Sequence, residues 1–312
     1  MGKLAFVFPG QGSQYVGMGQ ELFQTPGGAE AEAIAREVLG DDFLKLVREG
    51  PEAELQLTAN TQPAILLVSI AAWAQLDEAG IKPDYLAGHS LGEYAAHVAA
   101  GSIGLAEALR VVRRRGELMQ AAVPPGQGAM AAILGLANEQ VEEACRQAAA
   151  VGSVAPANYN CPGQVVISGE TAAVQKAMEV AKQLGAKRAM QLAVSGPFHS
   201  SLMQPAGEGL AQVLAEVAWR RPQVPVVANV DAQEVLDPER IVTSLVGQLS
   251  GAVRWEQSIR YLTGQGVDTF VECGPGKVLS GLVKKIAPGA TLLNIEDRSS
   301  AEKALAYLKE SR

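Results

Sequence analysis

The sequence predicts an α/β protein in which a large domain with a parallel-sheet core is interrupted by a small inserted subdomain. Two observations support this prediction. Short, continuously apolar runs, typical of strands buried on both faces, alternate with helix-like segments over most of the 312 residues. Between residues 127 and 196 the order of elements changes to one that builds a separate sheet. We therefore expect residues 1–126 and 197–312 to form the large domain and residues 127–196 to form the insertion.

The first part of the large domain alternates strands and helices. The run "KLAFVF" (3–8) predicts a buried strand because it is continuously apolar and stops at Pro9-Gly10. The apolar stretch 61–80 predicts a helix buried on most sides, with Thr61 as its N-cap and Gly80 as its stop signal. A strand over 84–90 and helices over 91–101 and 105–122 follow.

The insertion has the order strand, helix, strand, strand, helix, strand. Its predicted strands are 129–136, 153–160, 164–169 and 187–195, and its predicted helices are 138–150 and 171–184. The two middle strands are joined by the turn "CPG". This βαββαβ order is that of ferredoxin-like domains.

After the insertion the large domain resumes with the same alternation. A helix is predicted after Pro205, and later helices are predicted over 238–250, 254–264, from Lys277 and at the end of the chain. The predicted strands are 225–230, 269–276 and 291–295. These elements extend a parallel sheet rather than build a second one.

Composition and charge exclude several classes of protein. With 48% hydrophobic and 19% charged residues, the chain can bury a sizeable core and is not a disordered protein. The net charge of −7 disfavours a nucleic-acid-binding protein. The longest apolar run, 64–74, is shorter than the roughly 20 residues that span a bilayer. Three scattered cysteines without metal-finger spacing suit a reducing compartment, so we expect a cytoplasmic protein without a membrane segment.

The segment "GHSLG" (88–92) places Ser90 at the centre of a G-x-S-x-G pattern, where a predicted strand runs into a predicted helix. One interpretation is a tight turn that simply needs small residues. The other is the nucleophile elbow of α/β-hydrolase-like enzymes, where the glycines keep other side chains away from an exposed serine hydroxyl. The strand, turn and helix around Ser90 favour the second interpretation.

A serine nucleophile needs a base, and the chain has three histidines. His89 is the direct neighbour of Ser90 in the turn, and His97 lies about 10 Å farther along the following helix at 1.5 Å per residue. His199, where the insertion returns to the large domain, is the remaining candidate. No aspartate lies between Ser90 and His199, so either a glutamate or a backbone carbonyl must orient the imidazole. This gap disfavours an ordinary esterase.

Six stretches resemble one family. They are "FPGQGSQ" (8–14), "GHSLGEYAA" (88–96), "RGELMQ" (115–120), "NYNCPGQVVISG" (158–169), "GPFHSSLM" (196–203) and "VECGPGKVLSGL" (271–282). In this order they resemble the malonyl-CoA:acyl carrier protein transacylases, relatives of the acyltransferase domains of fatty-acid and polyketide synthases. The resemblance covers nearly the whole chain. It implies an α/β-hydrolase-like domain with a ferredoxin-like insertion.

The resemblance also assigns roles to individual positions. Ser90 would be the nucleophile that carries the acyl group, and His199 would be its base. The backbone carbonyl of Gln248 would orient that histidine, which would explain the absence of an aspartate. The backbone N–H groups of Gln11 and Leu91 would form the oxyanion hole.

Further matched positions concern the acyl group. Arg115 aligns with the family's carboxylate-binding arginine, whereas Arg113 and Arg114 are interpreted as a solvated helix face. Phe198 stands where malonyl-selective members carry an aromatic side chain, and Asn160 is expected to line the same pocket. No metal and no redox cofactor are implied.

The expected function is a ping-pong transfer of malonyl from malonyl-CoA to the phosphopantetheine thiol of acyl carrier protein, by a discrete enzyme of fatty-acid synthesis. Three alternatives remain open: a stand-alone acyltransferase that loads a polyketide synthase, a serine thioesterase or esterase, and a non-catalytic module that binds acyl carriers. Because carrier proteins are typically acidic and this chain is acidic too, a local basic patch is expected. Its candidates are Lys187–Arg188 and Lys284–Lys285.

Overall fold

Two separate β-sheets organise the chain, which the computed structural model describes over residues 2–194 and 196–311. The large sheet contains β1 (Lys3–Phe8), β2 (Tyr85–Gly88), β7 (Val226–Val227), β8 (Glu234–Val235), β9 (Val267–Cys273) and β10 (Thr291–Ile295). The small sheet contains β3 (Gly128–Leu134), β4 (Val154–Cys161), β5 (Gln164–Glu170) and β6 (Arg188–Gln191). The predicted fold class is confirmed.

Thirteen α-helices surround the sheets in the described part of the chain. They are α1 (Pro26–Leu39), α2 (Asp41–Glu49), α3 (Glu52–Leu55), α4 (Thr58–Glu78), α5 (Gly92–Ala99), α6 (Leu105–Ala121), α7 (Asn138–Ala148), α8 (Thr171–Gln183), α9 (Gln204–Ala215), α10 (Pro238–Ser250), α11 (Trp255–Gly264), α12 (Val278–Ile286) and α13 (Arg298–Ser311). None of the helices in the described residues is long and apolar enough to cross a bilayer.

The large sheet has the strand order β10-β9-β1-β2-β7-β8. Its first five strands pair in parallel, and β8 is a short antiparallel edge. Because Phe8 of β1 pairs with Gly88 of β2, both strands end at the same edge of the sheet. In open parallel sheets, ligands bind in the crevice outside this carboxyl edge.

Helix α4 has more buried residues than any other helix of the large domain. Fifteen of its 21 residues are buried, because its apolar side chains surround the axis. The predicted N-cap, Thr61, is wrong, because the N-cap is Leu57, four residues earlier. The helix begins at Thr58, and Thr61 lies inside it with its hydroxyl donating to the Leu55 carbonyl. Pro63 consequently lies within the helix rather than at its first turn, and its ring cannot supply the N–H that an interior residue normally donates.

The small sheet has the strand order β4-β5-β3-β6 and is antiparallel throughout. Helices α7 and α8 cover one face, where Ala131, Ile133 and Ile167 are buried against them. Strand alternation turns Met130 and Val166 to the other face, where they join the core of the large domain. The predicted last strand, 187–195, is shorter in the structure, and Ser195 lies outside the described residues.

Backbone hydrogen bonds join the small sheet to the large domain. Tyr159 N–H donates to the Val253 carbonyl (2.9 Å), and Val253 N–H donates to the Ala157 carbonyl (2.8 Å). These bonds tie β4 to the segment between α10 and α11. The boundaries at residues 126 and 197 themselves stay a prediction.

Candidate active site

The turn after β2 positions Ser90 at the carboxyl edge of the large sheet. Ser90 has a φ of 51°, in the left-handed region that few non-glycine residues adopt. A Cβ atom on Gly88 would lie 1.9 Å from the carbonyl carbon of Gly92, and one on Gly92 would lie 2.1 Å from the Phe8 carbonyl oxygen. Both glycines are therefore required for the close approach of α5 to β1 and β2. This strained strand-to-helix turn has the geometry of a nucleophile elbow.

His199 lies against Ser90 although 109 residues separate them. The distance between Ser90 Oγ and His199 Nε2 is 2.8 Å, and the distance between His199 Nδ1 and the Gln248 carbonyl oxygen is also 2.8 Å. Because a carbonyl only accepts, Nδ1 carries the proton and Nε2 presents its lone pair to the serine hydroxyl. Burial, followed by the positive charge of Arg115, lowers the pKa of His199 to about 3, which keeps the ring neutral.

Arg115 extends from α6 into the same site and is only 1% exposed. One terminal nitrogen donates to Gln62 Oε1 (2.8 Å). The other donates to Gln248 Oε1 (2.8 Å) and to Ser90 Oγ (3.2 Å). Burial lowers the pKa of the guanidinium, whereas the neighbouring Tyr94 and Glu93 raise it. The serine hydroxyl therefore contacts both a neutral base and a buried cation.

The two arginines before Arg115 differ from each other. Arg114 is exposed and pairs with Glu117, as predicted for a solvated helix face. The same prediction is wrong for Arg113, which is half-buried. Its guanidinium lies 5.4 Å from the centre of the Phe43 ring and donates to Asn60.

A cavity of about 110 Å³ opens in front of Ser90. Such a volume is far below the roughly 300–1,000 Å³ of sites for drug-sized molecules, so it suits a short acyl group. Gln11, which follows β1, and Leu91, which follows Ser90, both line the cavity, as does Phe198. The complete lining is Gln11, Gln62, His89, Ser90, Leu91, Arg115, Met119, Met130, Asn158, Leu192, Val194, Phe198 and His199.

The prediction that Asn160 lines the cavity is wrong, because Asn158 does so instead. The side chain of Asn160 is held by His89, whose Nε2 lies 2.9 Å from Asn160 Oδ1. The ring of His89 is itself part of the cavity wall and packs edge-on against Trp255 at 5.6 Å. Asn160 therefore reaches the cavity only through His89.

The other two histidines have structural surroundings. Burial lowers the pKa of His89, whose Nε2 is engaged by Asn160. His97 is fully buried near the end of α5 and contacts the Trp219 ring at 5.9 Å. Among the described histidines, only His199 is hydrogen-bonded to the Ser90 hydroxyl.

Several polar residues of the site escape prediction from the sequence. Asn229 accepts a hydrogen bond from Ser90 N–H (2.6 Å) and donates to the Gly88 carbonyl (2.7 Å), so it clamps both sides of the turn. Glu93 is fully buried one helical turn after Ser90. No local signal singles it out, because a glutamate in a helix is normally exposed.

Comparison with known proteins identifies the family. The acyl transferase domain model matches residues 5–297. The chain is 48% identical to a malonyl CoA-acyl carrier protein transacylase from Bacillus subtilis (strain 168), over 99% of this chain and 98% of the relative. The chain belongs to the malonyl CoA-acyl carrier protein transacylase family.

Two solved structures extend this result to the whole fold. An acyl carrier protein S-malonyltransferase from Vibrio cholerae O1 biovar eltor superimposes with a TM-score of 0.94 at 46% identity, covering 97% of this chain and 99% of that one. A malonyl-transacylase in complex with a type II polyketide-synthase acyl carrier protein superimposes with a TM-score of 0.95 at 47% identity, covering 98% and 99%. Both sheets of this transacylase family member thus have counterparts in its relatives.

The arrangement can perform covalent acyl transfer. It contains a hydroxyl, a neutral imidazole oriented to accept the hydroxyl proton, and a cation within contact distance of the hydroxyl oxygen. The described residues contain no group of three or more His, Cys, Asp or Glu side chains with the spacing of a metal site.

Proposed function

We propose that this chain transfers the malonyl group from malonyl-CoA to the phosphopantetheine thiol of an acyl carrier protein, for fatty-acid synthesis. One observation carries the proposal: Ser90 Oγ lies within hydrogen-bond distance of both His199 Nε2 and the Arg115 guanidinium. A nucleophile, its base and a carboxylate-binding cation therefore meet in one small cavity. The names of the relatives support the same acyl donor and acceptor.

The first half-reaction forms an ester on Ser90. His199 Nε2 accepts the hydroxyl proton while Ser90 Oγ attacks the thioester carbonyl of malonyl-CoA, giving a tetrahedral oxyanion. The N–H groups of Leu91 and Gln11 would stabilise this oxyanion, a contribution of about 10²–10³ in rate per donor in a measured case. The carbon–sulfur bond then breaks, the proton on His199 goes to the departing thiolate, and coenzyme A leaves.

The second half-reaction reverses these steps with a different thiol. His199 accepts the proton of the carrier's phosphopantetheine thiol, and the sulfur attacks the malonyl ester. When the tetrahedral intermediate collapses, the proton returns to Ser90 Oγ and malonyl leaves as a thioester. The Gln248 carbonyl stabilises the imidazolium that exists transiently in both halves, because it accepts from Nδ1.

Arg115 and the cavity size select the acyl group. A malonyl group differs from acetyl by a second carboxylate, which a planar guanidinium binds through parallel hydrogen bonds. A buried cation has no comparable partner in a simple acyl hydrolase, and this disfavours the thioesterase or esterase alternative. Phe198 narrows the cavity next to His199.

We propose that the reaction uses protein side chains without a resident metal or redox cofactor. Ser90, His199 and Arg115 together supply the nucleophile, proton transfer and charge stabilisation that the two half-reactions need. We also propose that the protein acts in the cytoplasm. Its three cysteines are unpaired and buried, which suits a reducing compartment.

The two basic pairs, Lys187–Arg188 and Lys284–Lys285, are the candidate docking patch for the carrier. In the small sheet, Leu134 pairs with Arg188 on one side and with Gln164 on the other. Lys285 Nζ donates to Gln164 Oε1 (3.4 Å), so both basic pairs lie near the same end of this sheet. Reversing the charges of either pair is expected to raise the KM for carrier protein and to spare acylation by malonyl-CoA. An unchanged KM would eliminate that pair.

A polyketide-synthase carrier is a second candidate acceptor. The specific observation is that one solved relative was captured with the acyl carrier protein of a type II polyketide synthase. Both acceptors present the same thiol. Comparing KM for a fatty-acid carrier and a polyketide carrier assigns the pathway.

Intact-protein mass after brief mixing with malonyl-CoA tests the proposal directly. The unmodified chain is expected to gain the mass of one malonyl group, and Ser90→Ala is expected to gain none. Adding phosphopantetheinylated carrier protein should then return the chain to its original mass and malonylate the carrier. Loss of malonyl to water at an equal rate without the carrier would support the thioesterase alternative instead. Binding of the carrier without acylation of either protein would indicate the non-catalytic module.

A further inference from the structure

Glu93 is a buried carboxylate that the reaction described above does not use. It lies on α5, one helical turn after Ser90, and it is fully buried. Its Oε2 atom accepts two hydrogen bonds, one from Asn229 N–H (3.0 Å) and one from Gln248 Nε2 (2.7 Å). A buried charged group is costly unless it is paired, so this carboxylate requires an explanation.

The side chain of Gln248 connects Glu93 to the reacting residues. Its Nε2 also donates to the Ser90 carbonyl (3.1 Å), and its Oε1 accepts from Arg115 (2.8 Å). The backbone carbonyl of the same residue accepts from His199 Nδ1. One glutamine thus contacts the proposed nucleophile, its base and the carboxylate-binding cation: Ser90, His199 and Arg115.

The orientation of this amide is determined by its neighbours. A carboxylate oxygen accepts and a guanidinium donates, so the NH₂ end of Gln248 must face Glu93 and the oxygen must face Arg115. If the amide were flipped, the Gln248 oxygen would face the Glu93 oxygen and the NH₂ group would face the guanidinium. Both contacts would then be repulsive, which leaves one amide orientation.

We propose that Glu93 is a positioning residue for malonyl recognition: by fixing the Gln248 amide, it holds the Arg115 guanidinium where the acyl carboxylate binds. This inference rests on the proposed function, because it takes malonyl as the acyl group. It adds a role for the side chain of Gln248, separate from the role of its backbone carbonyl.

The contact does not depend on the charge of Glu93. Burial raises the pKa of Glu93 to about 7, although hydrogen bonds from Asn229 and Gln248 and the charge of Arg115 oppose this shift. Its Oε1 has no hydrogen-bond partner among the described residues, so this is the oxygen on which a proton would reside. Oε2 therefore accepts from Gln248 in either protonation state, and a glutamine at position 93 can present the same acceptor.

The test compares Glu93→Ala and Glu93→Gln by the rates of Ser90 acylation with malonyl-CoA and with acetyl-CoA, measured by rapid quenching and intact mass. In Glu93→Ala the malonyl rate is expected to fall about ten- to hundredfold, the loss typical of leaving a buried hydrogen-bond donor unsatisfied. The acetyl rate should change much less, because acetyl has no carboxylate for Arg115. Glu93→Gln should keep most of the malonyl preference.

Glu272 provides a matched control. It is also a buried carboxylate, 1% exposed, and it accepts from Leu279 N–H and from the N–H and hydroxyl of Ser280 on a different helix. Glu272→Ala is expected to lower the melting temperature without changing the ratio of malonyl to acetyl rates. An equal loss of this ratio in Glu93→Ala and Glu272→Ala would overturn the proposal.

Gln248→Met approaches the same contact from the other side, because it removes the amide and keeps the backbone carbonyl for His199. It should shift the malonyl-to-acetyl ratio as Glu93→Ala does, and the double variant should be no worse than either single variant. An unchanged malonyl-to-acetyl ratio in Gln248→Met would contradict the proposal, and this result can be obtained even if Glu93→Ala does not fold. Additive losses in the double variant would contradict it as well. Absence of malonyl-Ser90 in the unmodified chain is a different result, because it refutes the proposed function itself.

Discussion

The two ends of helix α5 bury polar side chains in opposite ways. At its beginning, Ser90, Glu93 and the facing His199 are linked by hydrogen bonds of 2.6–3.2 Å to one another and to three further residues, Arg115, Asn229 and Gln248. At its end, both ring nitrogens of His97 and the hydroxyl of Ser102 have no hydrogen-bond partner among the described residues. Yet burial lowers the pKa of His97 and of His199 to the same value, about 3.

This comparison separates two properties that are easily confused. Burial alone is sufficient to lower the pKa of a histidine, since no other cause acts on His97. A lowered pKa therefore does not identify a catalytic base in this protein. The partners do, because only His199 has one ring nitrogen on a nucleophile and the other on an acceptor that fixes its tautomer.

Replacing the two histidines in turn gives the largest expected difference. His199→Ala should lower the rate of Ser90 acylation by about 10²–10⁴, the usual contribution of a placed general base. His97→Leu should leave that rate nearly unchanged, because the residue contacts Trp219 and not the cavity. Rapid-quench acylation with malonyl-CoA measures both variants. Equal losses would show that the contacts of His199 are incidental.

Two neighbouring arginines on α6, Arg115 and Arg113, allow the same test of partners against burial for a charged side chain. Arg115→Ala should lower kcat/KM for malonyl-CoA by about ten- to hundredfold and reduce discrimination against acetyl-CoA, because the acyl carboxylate loses a charged partner. Arg113→Ala should lose the packing against Phe43 and lower the melting temperature, with the malonyl preference retained. Competition between malonyl-CoA and acetyl-CoA checks both. A strong malonyl preference in Arg115→Ala would remove that arginine from carboxylate binding.

The pH dependence of protein stability tests His97 at the end of α5, whose ring nitrogens have no hydrogen-bond partner among the described residues. The folded pKa of His97, about 3, is below its ordinary value of 6.5, so the unfolded chain binds the additional proton between these values. The contribution of His97 to stability is therefore present above pH 6.5 and lost as the pH falls toward 3. At pH 5 the loss is about 2 kcal/mol, at 1.36 kcal/mol per pH unit. Between pH 6.5 and 5, the free energy of unfolding measured with urea should fall less for His97→Leu than for the unmodified chain. Identical slopes against pH would contradict a buried, neutral His97.

The beginning of α5 should show an effect of opposite sign. The folded pKa of Glu93, about 7, is above its ordinary value of 4.5, so the folded chain holds the additional proton in this window. Its contribution is fully present below pH 4.5 and lost as the pH rises through 7. The charge of Arg115 opposes the raised pKa, whereas the charge of Asp231 adds to it. Glu93→Gln should lose less stability than the unmodified chain between pH 5 and 7 in the same urea experiment. An equal loss in the two proteins would show that Glu93 is already ionised at pH 5.

Much of the fold follows from local patterns in the sequence. In β1 an apolar run stops at Pro9, and in β3 an apolar run stops at Gly135, and these signals need no distant residue. Helix α1 was missed although Thr25 caps it and Pro26 occupies its first position, because Gly27 and Gly28 weaken the helical pattern of its first turn. Both glycines fit close contacts there, with Glu78 and Leu22.

The predicted strand 225–230 shows where local patterns fail. Its composition is that of a buried strand, but only Val226 and Val227 pair with β2. The chain then turns through Ala232, whose φ is 57°, and Asn229 leaves the strand to clamp the turn around Ser90. The requirement for Asn229 comes from a segment 139 residues away, which no window along the sequence contains.

Some residues of the candidate site could be predicted from local sequence, and others depend on distant contacts. Ser90 could be predicted from its neighbours, and His199 by elimination among three histidines. Glu93 could not, because a glutamate on a helix is normally exposed, and what makes this one internal is the approach of Asn229 and Gln248. The family resemblance predicted a role only for the backbone carbonyl of Gln248. The role of its side chain depends on contacts that only the folded chain brings together.

The left-handed backbone at Ser90 and His199 has an evolutionary consequence. A non-glycine residue in this region costs on the order of 1–3 kcal/mol, so glycine at either position would relieve strain. Folding by itself thus favours glycine over the small Ser90 side chain, whereas the His199 ring is buried and hydrogen-bonded through both nitrogens. Among random variants screened only for solubility or thermal resistance, Ser90→Gly should be enriched rather than purged. Stabilisation campaigns on this chain will erode its chemistry unless turnover is selected at the same time.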